Sequence, residues 1–308
     1  MNHLPLFSVL VCTYNRGQYL YSCLDSIALQ DFDYHNFEIL IIDNNSPDNT
    51  EQVCSDFAKK NPKLHIRYFK EMQQGISFGR NRGVREAKGD LIAFIDDDET
   101  IQRDYLSNLS IFFRDYPQAS LCGGPVVPIY EVSKPKWLSP FTLRLITGAY
   151  DKGDAIKQLK EKDYPGTGHA TLRKKLFDKY GLFNTDLGRI GNGLLGAEDK
   201  DFFFRLIQNH EPCYYLPTAT IYHHIPAAKL TEDFFQRLTF GLGRSERIRT
   251  KSLSQKAFLK RLILGEGIKW SASVVLFFYY LLRLEYPKGK KLLQFRYNVA
   301  RGMLSPNK

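Results

Sequence analysis

Four consecutive acidic residues, Asp96, Asp97, Asp98 and Glu99, follow a short apolar run at residues 91–95. The run has the length and composition of one strand that is buried on both faces. Carboxylates packed this closely repel one another at neutral pH, and a bound cation relieves the repulsion. Hard oxygen ligands suit Mg²⁺ or Mn²⁺, which usually arrive with the phosphates of a substrate. The stretch therefore indicates a metal–diphosphate site at a strand end, with a solvated acidic turn as the alternative.

The residues up to this site alternate between strand and helix patterns. The predicted elements lie, in order, at 7–12, 19–30, 37–42, 50–59, 64–69, 77–88 and 91–95. Strands and helices in this order predict a parallel sheet with right-handed crossovers, and such sheets bind ligands at the carboxyl ends of their strands. The polar loops 13–16, 43–49 and 96–99 are expected there. No glycine-rich phosphate loop follows the first strand, which speaks against a dinucleotide-binding fold or a P-loop NTPase.

The composition is that of a globular protein. The chain has 308 residues, 43% hydrophobic and 25% charged, which is enough for one large or two small domains. The five cysteines form neither a CxxC pair nor a zinc-binding spacing, so we expect buried thiols in a reducing compartment. No N-terminal signal peptide is predicted, because the apolar stretch 4–12 is short and Pro5 interrupts it.

The net charge of +10 is confined to the C-terminal part of the chain. Residues 229–308 contain 17 Lys and Arg against 5 Asp and Glu, a surplus of +12 that leaves residues 1–228 at −2. This distribution indicates an anionic surface as the partner of the tail, rather than nucleic acid along the body of the protein.

Four segments of the N-terminal part read SVLVCTYNR at 8–16, IDNNS at 42–46, GRNRG at 79–83 and FIDDD at 94–98. Their sequence, order and spacing resemble those of family 2 glycosyltransferases, over roughly residues 6–240. The resemblance implies the GT-A fold, an α/β architecture with a doubly wound, mostly parallel central sheet. It also implies an inverting transfer of a sugar from a nucleotide donor, usually with Mn²⁺ or Mg²⁺.

The resemblance further implies which residues bind the nucleotide sugar. They are Thr13, Tyr14, Asn15, Arg16, Asp43, Asn44, Arg80, Asp96, Asp97 and His169. We expect Tyr14 and Asp43 to hold the base and the ribose, with Tyr14 stacking on the base. Arg80 is expected to approach the diphosphate or the ribose.

The metal site implied by the resemblance consists of Asp96, Asp98 and His223, with Asp98 as the direct ligand. His223 lies in an apolar strand pattern at 219–224 that ends in two histidines, where a histidine can also be purely structural. His169 stands where many relatives carry Asn, so we expect it to contact the sugar, with a structural histidine as the alternative.

Asn44 departs from the pattern of relatives that use uridine donors, many of which carry a second Asp there. An Asp accepts a hydrogen bond from the uracil NH, whereas an amide presents either a donor or an acceptor. A UDP-sugar is the expected donor, and GDP- and dTDP-sugars stay open.

A glycine-rich run at 187–197 delivers Glu198 and Asp199 to the start of a predicted helix that ends at Asn209. The helix dipole stabilises negative charge at this position, which would keep a base ionised. Ordinary helix capping is the alternative. The resemblance implies that Asp199 is the catalytic base for the acceptor hydroxyl, and that Glu198 steers the acceptor or caps the helix.

Gly123 and Gly124 interrupt an apolar strand pattern at 121–127, and Pro125 follows them directly. Glycines at such a place let the backbone approach a ligand or form a bulge. The sequence favours neither a contact with the donor nor a plain bulge.

The tail contains an apolar and aromatic run at 270–282, between Lys269 and Arg283. A bilayer span needs about 20 apolar residues, so we expect this run to be too short to cross a membrane easily. Aromatic residues with flanking cations suit a helix in the headgroup region, and a helix packed on the catalytic domain or on a partner subunit is the alternative. We therefore predict a transferase domain at 1–240 and a helical extension at 241–308, in a cytoplasmic protein that is peripheral on the inner face of the cell membrane.

The sequence as a whole favours a glycosyltransferase that uses metal-assisted single displacement. The acceptor would be a polysaccharide, a lipid-linked glycan or a cell-envelope glycoconjugate. A sugar-nucleotide pyrophosphorylase would need a glycine-rich phosphate loop with a basic residue after the first strand, and residues 12–15 do not supply it. A non-catalytic protein that binds a membrane surface or nucleic acid is a further alternative. We expect no nucleic acid partner, because the positive excess flanks an apolar helix rather than an RNA-recognition pattern.

Overall fold

The computed structural model describes residues 6–160, 163–191 and 193–306. Residues 1–5 of the predicted transferase domain and Asn192 of the predicted glycine-rich run lie outside them. The strands are β1 (Phe7–Thr13), β2 (Phe37–Asp43), β3 (Ile66–Lys70), β4 (Leu91–Asp96), β5 (Glu99–Ile101), β6 (Leu121–Gly123), β7 (Val126–Tyr130), β8 (Lys157–Gln158), β9 (Ala170–Arg173), β10 (Cys213–Tyr215) and β11 (Ile221–Ile225). The α-helices are α1 (Gly17–Ala28), α2 (Thr50–Lys60), α3 (Ile76–Glu86), α4 (Tyr105–Asp115), α5 (Pro140–Thr147), α6 (Lys175–Tyr180), α7 (Glu198–Gln208), α8 (Glu232–Leu253), α9 (Gln255–Lys260), α10 (Glu266–Leu282) and α11 (Tyr286–Leu304).

The first four strands and the helices between them confirm the predicted alternation. β1 pairs in parallel with β2 and with β4, and β2 pairs in parallel with β3. Every residue of β1 and β2 is buried, as continuous apolar runs predict for strands that are covered on both faces. Phe7, Val9 and Val11 pack with residues of α1 and α4, whereas Leu10 and Cys12 pack with residues of α6 and α7. The sheet is therefore doubly wound.

In the described part of the chain the central sheet has the strand order β3-β2-β1-β4-β9-β6-β10-β8. β9 lies antiparallel between β4 and β6, β10 runs parallel to β6, and β8 is an antiparallel edge strand. The prediction of a mostly parallel sheet is confirmed. A second sheet has the order β5-β11-β7, and it pairs His223 with Glu99 in antiparallel register.

Gly123 and Gly124 lie at the break between β6 and β7, where other segments of the chain come close to their backbone. A Cβ atom on Gly124 would lie 1.9 Å from the carbonyl oxygen of Ala219. A Cβ atom on Gly123 would lie 2.4 Å from the Cβ atom of Pro165. The two glycines are thus explained by chain packing, and neither sequence interpretation, a contact with the donor or a bulge, is needed to account for them.

The five cysteines all lie in described residues, and they are buried and free, as predicted. Burial raises the pKa of Cys12 to about 12, and it does the same for Cys54. Both side chains are therefore neutral thiols at physiological pH. They contribute to packing on the two sides of the sheet.

The described residues divide into two compact units. The sheet unit contains those of Met1–Ile129, Ala149–Thr185 and Asp199–His224. The helical unit contains those of Tyr130–Gly148, Asp186–Glu198 and Ile225–Lys308. The boundary predicted at residue 240 falls inside α8, which is one continuous helix of 22 residues.

In the helical unit, α11 packs against both α8 and α10. α9, a π-helical turn at Arg261–Gly265 and α10 form one helix, Gln255–Leu282, of 28 residues. This helix is long and apolar enough to cross a membrane, by length and composition. The prediction that the apolar segment is too short to cross easily is wrong as to its length, because it counted only the uninterrupted run at 270–282. The helix continues in the N-terminal direction through charged residues such as Arg261 and Glu266.

Candidate active site

The carboxyl ends of β1, β2 and β4 bring together three of the predicted polar segments. Thr13, the last residue of β1, is paired in register with Asp43, the last residue of β2. Cys12, directly before Thr13, is paired with Asp96, the last residue of β4. The loops that follow these strands therefore start at one edge of the sheet, where parallel α/β sheets bind ligands.

Arg16 pairs with the second and third residues of the acidic run. Its Nη1 atom is 2.8 Å from Asp97 Oδ1 and 2.9 Å from Asp98 Oδ2. Thr13 Oγ1 donates a hydrogen bond of 2.8 Å to the other oxygen of Asp97. Burial raises the pKa of Asp97, the charge of Arg16 opposes that rise, and the charge of Asp98 adds to it. The protein thus supplies a cation of its own to the acidic run, through a residue that the sequence assigned only to the nucleotide sugar.

Asp98 also faces His223. The Nε2 atom of His223 is 3.4 Å from Asp98 Oδ1, and both side chains are largely buried. The pairing of β5 with β11 holds them in place, because the carbonyl oxygen of Asp98 accepts a hydrogen bond of 2.9 Å from the N–H of His224. The structure thus brings together Asp98 and His223, two of the three predicted metal ligands. The third, Asp96, has its Oδ1 atom 3.4 Å from Nη2 of Arg80.

Asp43 and Ser46 connect the loops after β1 and β2. The Oδ1 atom of Asp43 accepts a hydrogen bond of 2.8 Å from the N–H of Ser46, and its Oδ2 atom accepts one of 2.7 Å from the hydroxyl of Tyr68. The N–H of Asn15 donates to Ser46 Oγ at 3.0 Å. Tyr14 is half-buried and Asn15 is exposed. The half-buried ring of Tyr14 and the buried carboxylate of Asp43 thus belong to loops that are joined to each other.

Asn44 holds the segment that leads into α3. Its Nδ2 atom donates to the carbonyl oxygens of Glu71, at 3.2 Å, and Gln73, at 2.7 Å. Its Oδ1 atom accepts a hydrogen bond of 2.7 Å from the N–H of Gly75. An ionised Asp at this position could not donate to the two carbonyl oxygens. The departure from Asp therefore has a local structural reason, which is independent of the base of any nucleotide.

Arg80 joins two carboxylates that the sequence assigned to different tasks. It lies on α3, is buried, and has its guanidinium over the ring of Phe183. Its Nη1 atom is 2.8 Å from Asp199 Oδ1, and its Nη2 atom is 3.4 Å from Asp96 Oδ1. The side chains of Asp96 and Asp199 are 44% and 30% exposed, so both carboxylates remain accessible from solvent.

Asp199 is the second residue of α7, which starts at Glu198 as predicted and ends one residue before the predicted end. The helix is fixed to the sheet unit by Phe202, Phe203 and Leu206, which are fully buried. Glu198 itself is buried. The structure therefore brings Asp199 to Arg80, whereas Glu198 is 8% exposed as a whole residue.

Thr167 is a contact of Asp199 that the sequence interpretation missed. Its N–H donates a hydrogen bond of 3.0 Å to Asp199 Oδ2, and its hydroxyl donates to Asp199 Oδ1. The signal for it was weak: one hydroxyl between two glycines, in the segment where only His169 was singled out. The Nε2 atom of His169 accepts a hydrogen bond of 3.0 Å from the N–H of Gly166, which is the structural role left open for this histidine.

Most of these residues lie in a part of the chain that matches a known protein family. The family profile described as Glycosyl transferase family 2 matches residues 8–181. The chain belongs to glycosyl transferase family 2. Among characterised relatives of the chain, glucosyl-dolichyl phosphate glucuronosyltransferase of Haloferax volcanii is 26% identical over 266 residues, which cover 83% of this chain and 83% of that protein.

Two solved structures resemble this family 2 chain in fold. The mannosyltransferase PcManGT from Pyrobaculum calidifontis, in complex with GDP-Man and Mn²⁺, has a TM-score of 0.64 at 17% identity, over 95% of this chain and 86% of that one. A fragment of TarS from S. aureus, in complex with UDP-GlcNAc, has a TM-score of 0.57 at 17% identity, over 96% and 90%. The chain is a glycosyltransferase with the GT-A fold, as predicted.

The residues of this family 2 site suit a divalent cation whose remaining ligands come from the substrate and from water. Among the residues that the structure describes, no three His, Cys, Asp or Glu side chains converge as a metal site. The pair of Asp98 and His223 offers one carboxylate oxygen and one imidazole nitrogen. Mg²⁺ in phosphate-binding sites usually takes one or two protein ligands and completes its shell with substrate phosphates and water. The pair therefore fits a cation that arrives with a diphosphate.

Proposed function

We propose that this chain is an inverting glycosyltransferase that moves a sugar from a nucleoside-diphosphate sugar to an acceptor hydroxyl by metal-assisted single displacement. One observation carries the proposal. The buried guanidinium of Arg80 pairs with Asp199, the candidate base, at the carboxyl edge of the sheet. It also pairs with Asp96, a candidate residue for binding the nucleotide sugar. Groups that must act on the two sides of one anomeric carbon are thus within reach of a single side chain.

In this mechanism Asp199 takes the proton of the acceptor hydroxyl as that hydroxyl attacks the sugar. Arg80 binds the diphosphate, Tyr14 stacks on the base, and Asp43 contacts the nucleoside. Asp98 and His223 would hold Mn²⁺ or Mg²⁺, which when bound neutralises the charge that develops on the leaving diphosphate. The leaving group needs no proton, so one carboxylate base is sufficient.

The donor is proposed to be a UDP-sugar, with a GDP-sugar as the second choice. The two structural relatives were solved with UDP-GlcNAc and with GDP-Man, so the fold accommodates both nucleotides. Asn44 does not discriminate between them, because its amide is hydrogen-bonded to the backbone of residues 71–75.

The acceptor is proposed to be a lipid-linked glycan at the cytoplasmic surface of the membrane. The Haloferax relative is named for a glucosyl-dolichyl phosphate acceptor, which supports this class. The helix Gln255–Leu282 adds a second argument, because one of its faces carries large exposed apolar side chains. They are Leu259, Ile263, Leu264, Ile268, Val275, Phe278 and Leu282.

The opposite face of the same helix is buried in the helical unit through Phe258, Glu266, Ser273 and Tyr280. Apart from the adjacent pair Ile263 and Leu264, successive exposed apolar residues are three, four or seven residues apart, so they form one stripe along the helix. Lys256, Lys260, Lys269 and Arg283 lie on this helix and at its end. A stripe with nearby cations suits the headgroup region of an anionic bilayer.

We propose that this helix lies in the plane of the membrane and does not cross it. A Cβ atom on Gly289 of α11 would lie 3.1 Å from the Cα atom of Phe277, and Arg296 Nη1 is 3.7 Å from Glu266 Oε2. α11 therefore runs antiparallel beside α10 with the cations Lys290, Lys291 and Arg296. A crossing helix would carry these charges into hydrocarbon, at a cost of roughly 2.5–3.5 kcal/mol each.

The donor is identified by thermal unfolding of the purified chain with UDP-glucose, UDP-GlcNAc, GDP-mannose and dTDP-glucose, each with and without Mn²⁺. A ligand at about 100 times its Kd adds about 2.7 kcal/mol to the free energy of unfolding. We expect one nucleotide class to raise the Tm only when Mn²⁺ is present, and the enzyme to hydrolyse that sugar nucleotide slowly. Equal curves for all four donors with Mn²⁺ would contradict the proposal.

The membrane part is tested by flotation with vesicles of neutral and of 30% anionic lipid. We expect the chain to float with the anionic vesicles and to be released by alkaline carbonate, as a helix in the membrane plane would be. Ile268→Glu and Val275→Glu, in the exposed stripe, should abolish flotation, whereas Ile111→Glu on α4 should not. Resistance to carbonate would indicate a crossing helix.

A further inference from the structure

The short turn Thr167–His169 precedes β9 and lies against two carboxylates of the candidate site, those of Asp199 and Asp96. Thr167 is fully buried and contacts Asp199, as described above. The next residue, Gly168, faces Asp96: a Cβ atom built on it would lie 2.5 Å from Asp96 Oδ2 and 2.7 Å from Asp96 Cγ. His169 closes the turn by accepting the N–H of Gly166.

Thr167 contacts both oxygens of the Asp199 carboxylate, which fixes its orientation. The hydroxyl of Thr167 and Nη1 of Arg80 both donate to Oδ1, and the N–H of Thr167 donates to Oδ2. A carboxylate accepts about four hydrogen bonds, two on each oxygen. Among the described residues, the remaining acceptor position is therefore on Oδ2.

We propose that Thr167 is the positioning residue of the catalytic base, and that it directs Asp199 Oδ2 to the acceptor hydroxyl. The proposal rests on the function proposed above, in which Asp199 takes the proton. The proton moves from the acceptor oxygen to Oδ2, and the electron pair left on that oxygen forms the new bond to the anomeric carbon. The bond from that carbon to the diphosphate breaks at the same time, and the nucleoside diphosphate leaves with its electron pair. Thr167 keeps its own proton and contacts no reacting atom.

The same turn gives this proposal an internal control, because neighbouring residues face different carboxylates. Thr167 acts on the base, so its loss should change turnover and leave donor binding intact. Gly168 leaves room for the side chain of Asp96, so a methyl group at residue 168 should displace that side chain. Since Asp96 is a candidate residue for binding the sugar nucleotide, the affinity for the donor should fall. A turn with a merely structural role would give both substitutions the same kinetic effect.

The experiment compares Thr167→Val, Thr167→Ser and Gly168→Ala in the full chain. Turnover is measured as hydrolysis of the sugar nucleotide found in the donor screen, and binding as the Kd of UDP or GDP with Mn²⁺. A charge-assisted hydrogen bond is worth about 10- to 100-fold in rate, so Thr167→Val should lower kcat by that factor with a donor KM within about twofold of wild type. Thr167→Ser keeps the hydroxyl and should recover most of the kcat.

Gly168→Ala should show the opposite pattern, with a donor KM raised by about tenfold or more and a smaller change in kcat. The stoichiometry of nucleotide binding, from the same titrations as the Kd, gives the fraction of intact sites, so the kcat of a poorly folding Thr167→Val can be corrected for its active fraction. Equal losses in the Val and Ser variants would overturn the proposal, since the hydroxyl would then be irrelevant. So would a Thr167→Val enzyme with wild-type kcat.

Asp199→Asn separates this proposal from the function on which it rests. If Asp199→Asn retains turnover, the assignment of the base fails and the role of Thr167 fails with it. If Asp199→Asn is inactive and Thr167→Val is fully active, the base stands and only the positioning role is overturned.

Discussion

Two clusters of charged side chains in this glycosyltransferase use similar residues for different ends. The strand-end cluster of the sheet unit consists of Arg16, Arg80, Asp96, Asp97, Asp98 and Asp199. The helix cluster of the helical unit consists of Glu246, Arg249, Arg261, Glu266 and Arg296. Carboxylates outnumber guanidiniums in the first cluster, and guanidiniums outnumber carboxylates in the second.

The difference in exposure separates the candidate active site from a cluster that packs helices together. Asp96 and Asp199 are 44% and 30% exposed, whereas Glu246 and Glu266 are 10% and 4% exposed. Arg261 bridges the two glutamates, with its Nε atom 2.9 Å from Glu246 Oε2. Excess negative charge that solvent can reach suits a cation and its diphosphate. A closed network of arginine and glutamate holds α8, α10 and α11 together.

The largest expected effect is on turnover, from the substitution of the candidate base. Asp199→Asn should lower kcat by about 10²- to 10⁴-fold, because the amide cannot take the acceptor proton. Steady-state hydrolysis of the identified sugar nucleotide measures it. Asp201→Asn is the matched control, since Asp201 lies two residues further along α7 and pairs with Arg205 at 3.3 Å. Equal activity of both variants would mean that the strand-end cluster has been assigned the wrong base.

A substitution in the helix cluster should lower the free energy of unfolding rather than the turnover. Glu266→Gln removes the buried carboxylate that faces Arg296 and one of the two that pair with Arg261. Breaking a buried ion pair costs about 3–5 kcal/mol in the free energy of unfolding. Urea denaturation measures the loss, and the Kd for nucleotide with Mn²⁺ should stay near the wild-type value in the folded variant. Glu285→Gln is the control, because Glu285 is 35% exposed and pairs at the surface with Lys288. Its loss should be at most about 1 kcal/mol. An unchanged stability of Glu266→Gln would remove the contrast between the clusters.

A smaller effect is expected at the metal pair. His223→Ala removes the imidazole that faces Asp98, and we expect about 10- to 100-fold weaker Mn²⁺-dependent binding of nucleotide, the range seen when metal-site partners are lost. Calorimetry with UDP or GDP, with and without Mn²⁺, measures it. His224→Ala is the neighbouring control, since the ring of His224 lies 3.5 Å from Thr100 Oγ1. The two variants should differ, and identical affinities would argue against His223 as a ligand.

The fold could be predicted because its signals are local. The buried strands β1, β2 and β4 are continuous apolar runs, and each is followed at once by a polar loop. The start of α7 was also predictable, because Glu198 and Asp199 follow a glycine-rich run and precede inward-facing phenylalanines. The positions of the strand-end residues follow from the parallel order of the sheet.

The contacts of individual side chains could not be predicted, because they depend on residues far apart in the sequence. Arg16 and Asp97 are 81 residues apart, and Thr167 and Asp199 are 32 apart. No pattern in the sequence says that one arginine pairs with two carboxylates of the acidic run. The length of the helix Gln255–Leu282 was missed for a different reason: its charged residues face the helix cluster, so the apolar run alone underestimates the helix.

Glu211 is a carboxylate with a packing role in the same unit as the strand-end cluster. Its substitution is expected to have the smallest effect, a pH-dependent change in Tm. Burial acts to raise the pKa of Glu211, but hydrogen bonds from Ser120, Tyr180 and Lys179 outweigh it and hold the pKa below its usual 4.5. A carboxyl with a lowered folded-state pKa stabilises the fold above its usual pKa, and this contribution is lost as the pH falls through the folded-state value. The Tm of Glu211→Gln should therefore lie below that of wild type at pH 7, with a difference that shrinks in acid.

Glu51→Gln controls this measurement, because the pair of Glu51 and Lys70 is exposed and should show little difference at any pH. A difference for Glu211→Gln that grew on acidification would mean that the fold raises the pKa of this carboxyl. Glu211 would then be destabilising in its ionised form. In that case Glu211 would resemble the buried Asp97, whose pKa is raised by burial, rather than a packing carboxylate such as Glu266.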